Sequence, residues 1–100
     1  MRETTIDQFA AALDQGAAVV DVREPAEFRE GHVPGAINIP MSQLFARLGE
    51  IDRDRSVHMV CASGNRSSAM TDVLTANGFD AINVAGGTNA WIRSGRRIEK

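Results

Sequence analysis

Val57-His58-Met59-Val60-Cys61-Ala62-Ser63-Gly64-Asn65-Arg66-Ser67-Ser68-Ala69-Met70-Thr71-Asp72-Val73-Leu74 is the stretch from which the fold can be read. It reads as a short apolar strand, a loop containing one glycine, and a helix. A strand feeding a helix through so short a loop places Cys61 at a helix N-terminus. Unpaired backbone N–H groups and the positive end of the helix dipole favour an anion there. They favour a thiolate for the same reason, and the thiolate is the reactive form of cysteine. Gly64 lets the backbone curl around the sulfur where a side chain would obstruct it. Arg66 adds a fixed positive charge at the helix start, with a plain helix-surface charge as another reading. Most free cysteines are small buried hydrophobes. The glycine, the arginine and the helix start within one loop weigh against that for Cys61.

Outward from this stretch the chain alternates apolar runs with helical segments. Thr5-Ile6-Asp7-Gln8 fits a capping box, and the helix it opens carries Phe9, Ala12 and Leu13 and stops near Gly16. Ala17–Val22 reads as a central strand, and Pro25 suits the first turn of a brief helix through Glu27 and Phe28. Gly31, Pro34 and Gly35 punctuate a loop before a strand at 36–40. Ser42 is placed to cap a helix through Leu44, Phe45 and Leu48, and Asp52–Arg55 forms a solvated turn. After the cysteine loop the helix runs to Asn77, with Gly78 at its C′ position. Ala81–Val84 is a further strand, and Gly86-Gly87 leads into a last short helix carrying Trp91. This order predicts an α/β fold, a small parallel sheet with helices on both faces. Ligands of such sheets sit beyond the carboxyl ends of the strands. Cys61, the pair Asp21 and Arg23, and Gly86-Gly87 all follow strand ends.

Composition bounds the function. One hundred residues, 43% apolar and 24% charged, fit a single domain over 1–100, its core motifs lying within 17–97. A net charge of −2 points neither to nucleic acid nor to a membrane surface. No run is long enough to span a bilayer, and the N-terminus lacks the apolar segment of a signal peptide. With a single cysteine there is no internal disulfide, no Cys-x-x-Cys dithiol and no Cys/His cluster with zinc spacing. A cytoplasmic location is expected, and whatever Cys61 picks up must pass to an outside acceptor.

Four segments together resemble the rhodanese family of sulfurtransferases. Asp21-Val22-Arg23-Glu24-Pro25-Ala26-Glu27-Phe28 resembles its first signature, continued by Gly31-His32-Val33-Pro34-Gly35-Ala36-Ile37-Asn38-Ile39-Pro40. Cys61-Ala62-Ser63-Gly64-Asn65-Arg66-Ser67 is similar to the active-site loop of small single-domain members. Gly86-Gly87-Thr88-Asn89-Ala90-Trp91 resembles the C-terminal signature. The resemblance implies a rhodanese-like fold and transfer of a sulfane sulfur. The donor would be thiosulfate or a persulfide. The sulfur would pass through a Cys61 persulfide to cyanide, a small thiol or a thioredoxin-like protein. No metal or organic cofactor is implied. The loop Ala62, Ser63, Gly64, Asn65, Arg66 and Ser67 would bind the small anionic donor, with its amides stabilising the negative sulfur. Thiosulfate-preferring members often carry basic residues inside the loop. Ala62 and Ser63 are neutral, which leaves a protein persulfide as an alternative donor.

Two other functions stay open. A rhodanese-like domain also serves as a persulfide carrier or interaction module. Cysteine-based phosphatases and arsenate reductases use a similar loop with one residue more between cysteine and arginine, and a phosphatase needs a general acid that nothing here positions. Asp21 and Arg23 read as a structural pair at the strand end as well as supporting residues of the site. His58 and Cys61 are an odd number of residues apart on a strand and so point to opposite faces, which argues against a dyad. His32 reads as a loop residue bonded to backbone. Trp91, Met41, Met59 and Met70 read as packing residues.

Overall fold

A computed structural model describes residues 1–100. Its five strands are β1 (Arg2–Thr4), β2 (Ala18–Asp21), β3 (Ile37–Asn38), β4 (Val57–Val60) and β5 (Ala81–Val84). They form one sheet in the order β1-β5-β4-β2-β3, and every pairing is parallel. The helices are α1 (Ile6–Asp14), α2 (Pro25–Glu30), α3 (Asn65–Ala76) and α4 (Gly87–Arg93). The parallel sheet covered on both faces is the fold class expected from the alternation of elements.

β4 lies at the centre, and its alternation sorts the core into two layers. Val57, Met59 and Cys61 join Val20, Val22, Ile39, Leu44 and Leu74 on the face covered by α3. Val60 points the other way, into a layer with Phe9, Val19, Val84 and Trp91 beneath α1 and α4. Trp91 closes this second layer, edge-on to Phe9 at 5.5 Å, with its indole N–H donated to the Arg97 carbonyl at 2.9 Å. Each layer is too small to be stable alone, and the sheet between them makes one cooperative unit of the two.

Local signals set most helix ends. The Thr5 hydroxyl accepts from the Gln8 N–H while the Gln8 side chain accepts from the Thr5 N–H, a complete capping box. α2 opens with Pro25 in its first turn, where a missing N–H costs nothing.

Four points of the sequence reading are corrected. The N-terminal strand β1 is absent from the sequence reading. Arg2-Glu3-Thr4 has no apolar alternation, and it becomes a strand because β5 would otherwise leave an unpaired edge, which Arg2 to Thr4 cover in register with Ile82 to Val84. The helix expected after Ser42 is instead two 3-10 turns, Met41–Gln43 and Phe45–Glu50, broken at Arg47 (φ −120°, ψ 20°). The turns bury Leu44 and half-bury Leu48, while Phe45 stays 68% exposed. Met41 is exposed as well, not a core filler, whereas Met59 is fully buried. The strand expected at 36–40 shortens to two paired residues, because Ile39 and Met41 donate instead to the carbonyls of Asp21 and Val22 as the chain leaves the sheet.

Candidate active site

Cys61 follows the last residue of β4, at the carboxyl end of the central strand. The chain then turns through Ala62, Ser63 and Gly64, which has φ 105°, into α3. The loop amides face inward because the loop carbonyls are held from outside. Thr88 N–H donates to the Cys61 carbonyl at 2.8 Å and Asn89 N–H to the Ala62 carbonyl at 2.9 Å. The start of α4 thus grips the outer side of the loop and leaves the N–H groups turned toward the sulfur. Gly86-Gly87, singled out in the sequence for following a strand, makes this close approach possible.

Cys61 is 1% exposed. Its sulfur accepts from the Gly64 N–H at 3.1 Å and lies 3.3 Å from the Ser67 hydroxyl. Burial pushes the thiol up. The Ser67 hydroxyl and the backbone N–H groups of Ser67, Gly64 and Ser63 outweigh it, and the thiol lies below its ordinary value. The N–H groups at the start of the helix form a nest that favours the charged form of the sulfur.

Of the predicted loop, Ser63, Gly64 and Ser67 bring donors to the sulfur, Ala62 and Asn65 show no hydrogen bond to it, and Arg66 does not point its hydrogen bonds there. Its Nη1 and Nη2 donate to the two carboxylate oxygens of Glu27 on α2, at 2.8 and 2.9 Å. This fork holds the Glu27 carboxyl down at about 2, chiefly through the hydrogen bonds from Arg66. Glu27 holds the Arg66 guanidinium above its ordinary value in turn, and the thiolate adds to that from nearby. Arg66 is thus a positive charge beside the sulfur that is already partnered. Glu27 is the residue that sequence reasoning missed as part of the site; it lies 39 positions from Arg66, beyond any local pattern.

Asp21 and Arg23 are brought close to the site without joining it. Arg23 Nε and Nη2 fork onto the Asp21 carboxylate at 2.8–3.1 Å, and Nη2 also donates to the Gly31 carbonyl at 2.9 Å. Asn38 Nδ2 donates to the backbone carbonyls of both residues. Asp21 is fully buried and Arg23 is 7% exposed. The pair ties the end of β2 to the loop after α2, and its Nε and Nη2 donors are taken up within the protein.

His58 lies on the opposite face from Cys61, against the Phe9 ring and 3.4 Å from the Ala18 carbonyl, with burial holding its pKa down. His32 stacks on Phe28, and its Nδ1 lies 2.8 Å from the Phe28 carbonyl. Neither imidazole serves the sulfur. No three His, Cys, Asp or Glu side chains gather as a metal-binding group.

The parallel α/β sheet thus sets the one thiol of the chain, ringed by N–H donors, at the carboxyl end of its central strand, where ligands of such sheets sit. Residues 5–94 match the model of the Rhodanese-like domain, and the chain belongs to that family. It is 41% identical over 92 residues to the Bacillus subtilis protein YqhL, covering 91% of this chain and 72% of that one. It is 40% identical over 81 residues to a sulfurtransferase of Allochromatium vinosum, covering 80% and 76%. Among solved structures, a rhodanese-related protein from Thermoplasma volcanium superposes with a TM-score of 0.94 at 32% identity, covering 99% of this chain and 98% of that one. No helix is long and apolar enough to cross a membrane.

Proposed function

We propose that this protein is a sulfurtransferase working through a Cys61 persulfide. The observation that carries the reading is the ring of donors around one buried sulfur: the N–H groups of Ser63, Gly64 and Ser67 and the Ser67 hydroxyl. The family and the likeness to the Allochromatium vinosum sulfurtransferase support it. In the first half-reaction the Cys61 thiolate attacks the outer sulfur of the donor. A new S–S bond forms, the donor's own S–S bond breaks, and its electron pair leaves with sulfite or a thiolate. In the second half-reaction cyanide or an acceptor thiolate attacks the outer sulfur of the persulfide, and Cys61 leaves as the thiolate it began as. The loop N–H dipoles, fixed by the backbone, stabilise that anion at both ends of the cycle without reorganising. No metal or organic cofactor enters.

The donor reaches the sulfur end-on, because Cys61 is almost wholly covered. Ala62 and Ser63 carry no charge and Arg66 is shared with Glu27, so thiosulfate meets less free positive charge than the sequence alone implied. We therefore place a persulfide on a small thiol or a thioredoxin-like protein ahead of thiosulfate as donor, and a thiol as acceptor. Intact mass after incubation with each donor tests the reading. The expected result is a gain of one sulfur atom, removed by dithiothreitol and absent in Cys61→Ser. Failure of every sulfane donor to add sulfur would overturn it. A persulfide that forms but passes on only once, with acceptor in excess, would make the protein a carrier instead of a turnover enzyme.

A further inference from the structure

The Ser67 hydroxyl has one proton and two acceptors. Its oxygen lies 3.3 Å from Cys61 Sγ and 2.6 Å from Asn83 Oδ1. A serine hydroxyl donates one hydrogen bond only, so the two acceptors compete for it. Ser67 is fully buried and Asn83, on β5, is 2% exposed. Asn83 cannot turn its amide to become a donor to Ser67 without loss. Its Nδ2 donates to Glu3 Oε2 at 3.0 Å and lies 3.5 Å from the Gly64 carbonyl, and both of those partners only accept. The Asn83 oxygen is thereby aimed at Ser67 from the strand beside β4.

We infer that Asn83 is a positioning residue for Cys61, holding the Ser67 hydroxyl proton away from the sulfur until negative charge develops there. With Cys61 as a neutral thiol, the short O–H···O bond keeps the proton on the Asn83 side. When the sulfur is a thiolate, a charge-assisted bond draws the hydroxyl over, at the expense of its bond to Asn83. The net thiolate stabilisation is what remains after that loss. The chemical benefit is reactivity, because a thiolate loses nucleophilicity as its conjugate acid becomes stronger. Asn83 thus keeps Cys61 from being stabilised into inertness. The inference rests on the proposed function only in taking Cys61 as the reacting group.

The other charges around the sulfur are Arg66 on α3 with Glu27 from α2, the Asp21–Arg23 pair at the end of β2, and Glu3 on β1 behind Asn83. His58 faces the other side of the sheet, against Phe9.

The test follows alkylation of Cys61 by iodoacetamide as a function of pH. Cys61 is the only thiol, so the reagent reads it alone, and no sulfur donor is involved. A failure of sulfur transfer therefore leaves this measurement standing, and the reverse holds too. Asn83→Val removes the competing acceptor. The midpoint of alkylation should move to lower pH, with roughly three- to tenfold more thiolate below it, the worth of one ordinary hydrogen bond. Ser67→Ala should move the midpoint up, and adding Asn83→Val to Ser67→Ala should then change nothing. Asn83→Ala, which adds no bulk, gives the same readings if the valine variant does not fold. A midpoint that rises or stays put in both Asn83 variants would overturn the inference. So would an equal shift with Ser67 absent, since the effect would then not pass through the hydroxyl.

Discussion

Gly87→Ala separates the hold on the loop from the chemistry inside it. A Cβ at Gly87 would lie 2.5 Å from the Cys61 carbonyl oxygen and 2.9 Å from that of Ala62. Both are backbone atoms, so neither can swing aside as a side chain would. They are also the two carbonyls that accept from Thr88 and Asn89. The methyl group therefore pushes apart the two segments whose hydrogen bonds keep the loop amides facing the sulfur. Gly87 sits at φ +56°, where a non-glycine residue costs about 1–2 kcal/mol. Losing one or both of the two hydrogen bonds adds about 1 kcal/mol each. The total is about 2–4 kcal/mol. For a domain of this size that lowers the melting temperature by about 4–8 °C per kcal/mol. Gly95→Ala is the control, since Gly95 has φ +79° but open space around it. It should cost the conformational term alone. Thermal unfolding gives the stabilities, and persulfide formation by intact mass gives the function. A loop displaced by about 1 Å should lose on the order of a hundredfold in rate in Gly87→Ala and nothing in Gly95→Ala. Equal stabilities for the two variants, with sulfur transfer intact in Gly87→Ala, would refute the claim that α4 holds the loop in its working shape.

Cys61→Ser should fold with a near-native melting curve and form no thiocyanate from thiosulfate and cyanide; any cyanide-dependent turnover by it would remove Cys61 from the mechanism. Arg66→Ala should raise the KM for thiosulfate and slow alkylation of Cys61 at neutral pH, and unchanged values in both assays would make Arg66 a surface charge. The Glu27 carboxyl is lowered in the folded state from 4.5 to about 2, so its contribution to stability is present above pH 4.5 and is lost as pH falls toward 2. Both side chains are about a third exposed (34% and 37%), so Glu27→Gln should cost no more than about 1 kcal/mol at pH 7, and urea unfolding should show the gap to wild type closing between pH 5 and pH 2. One glycine inserted between Ser63 and Asn65 should widen the nest and abolish sulfur transfer, and weak phosphate or arsenate binding would be consistent with the larger ring. Undiminished transfer by that variant, or aryl phosphate hydrolysis by the unmodified chain, would show that loop size does not set the chemistry.

What the sequence discloses is what neighbours along the chain decide. β2, β4 and β5 are short, mainly apolar segments flanked by turn chemistry, and the capping box at Thr5 and Gln8 is complete within four residues. The cysteine loop was legible for the same reason, since strand, glycine and helix start are consecutive. The pairing of Asp21 with Arg23 is likewise a short-range event, and the structure sets it beside the site as a clamp. What escaped reading depends on partners far away in sequence. Arg2-Glu3-Thr4 is a strand only because β5 is there to pair with it. The segment after Ser42 has helical spacing, yet its register is settled by how Leu44 and Ile51 reach the core, and 3-10 turns meet that demand.

The same distinction runs through the site itself. The donors that touch the sulfur come from its own loop, within six residues of Cys61, and so were visible beforehand. The groups that back the site come from other strands and helices: Asn83 on the serine, Thr88 with Asn89 on the loop carbonyls, and Glu27 on the nearby arginine charge. Each acts by claiming a proton or a lone pair that would otherwise go elsewhere. An unchanged loop sequence could therefore hold its cysteine at different degrees of activation, according to what stands behind Arg66 and Ser67. Exchanging those backing residues while leaving residues 61–67 untouched is thus the way to change the reactivity of Cys61 without altering its ring of donors.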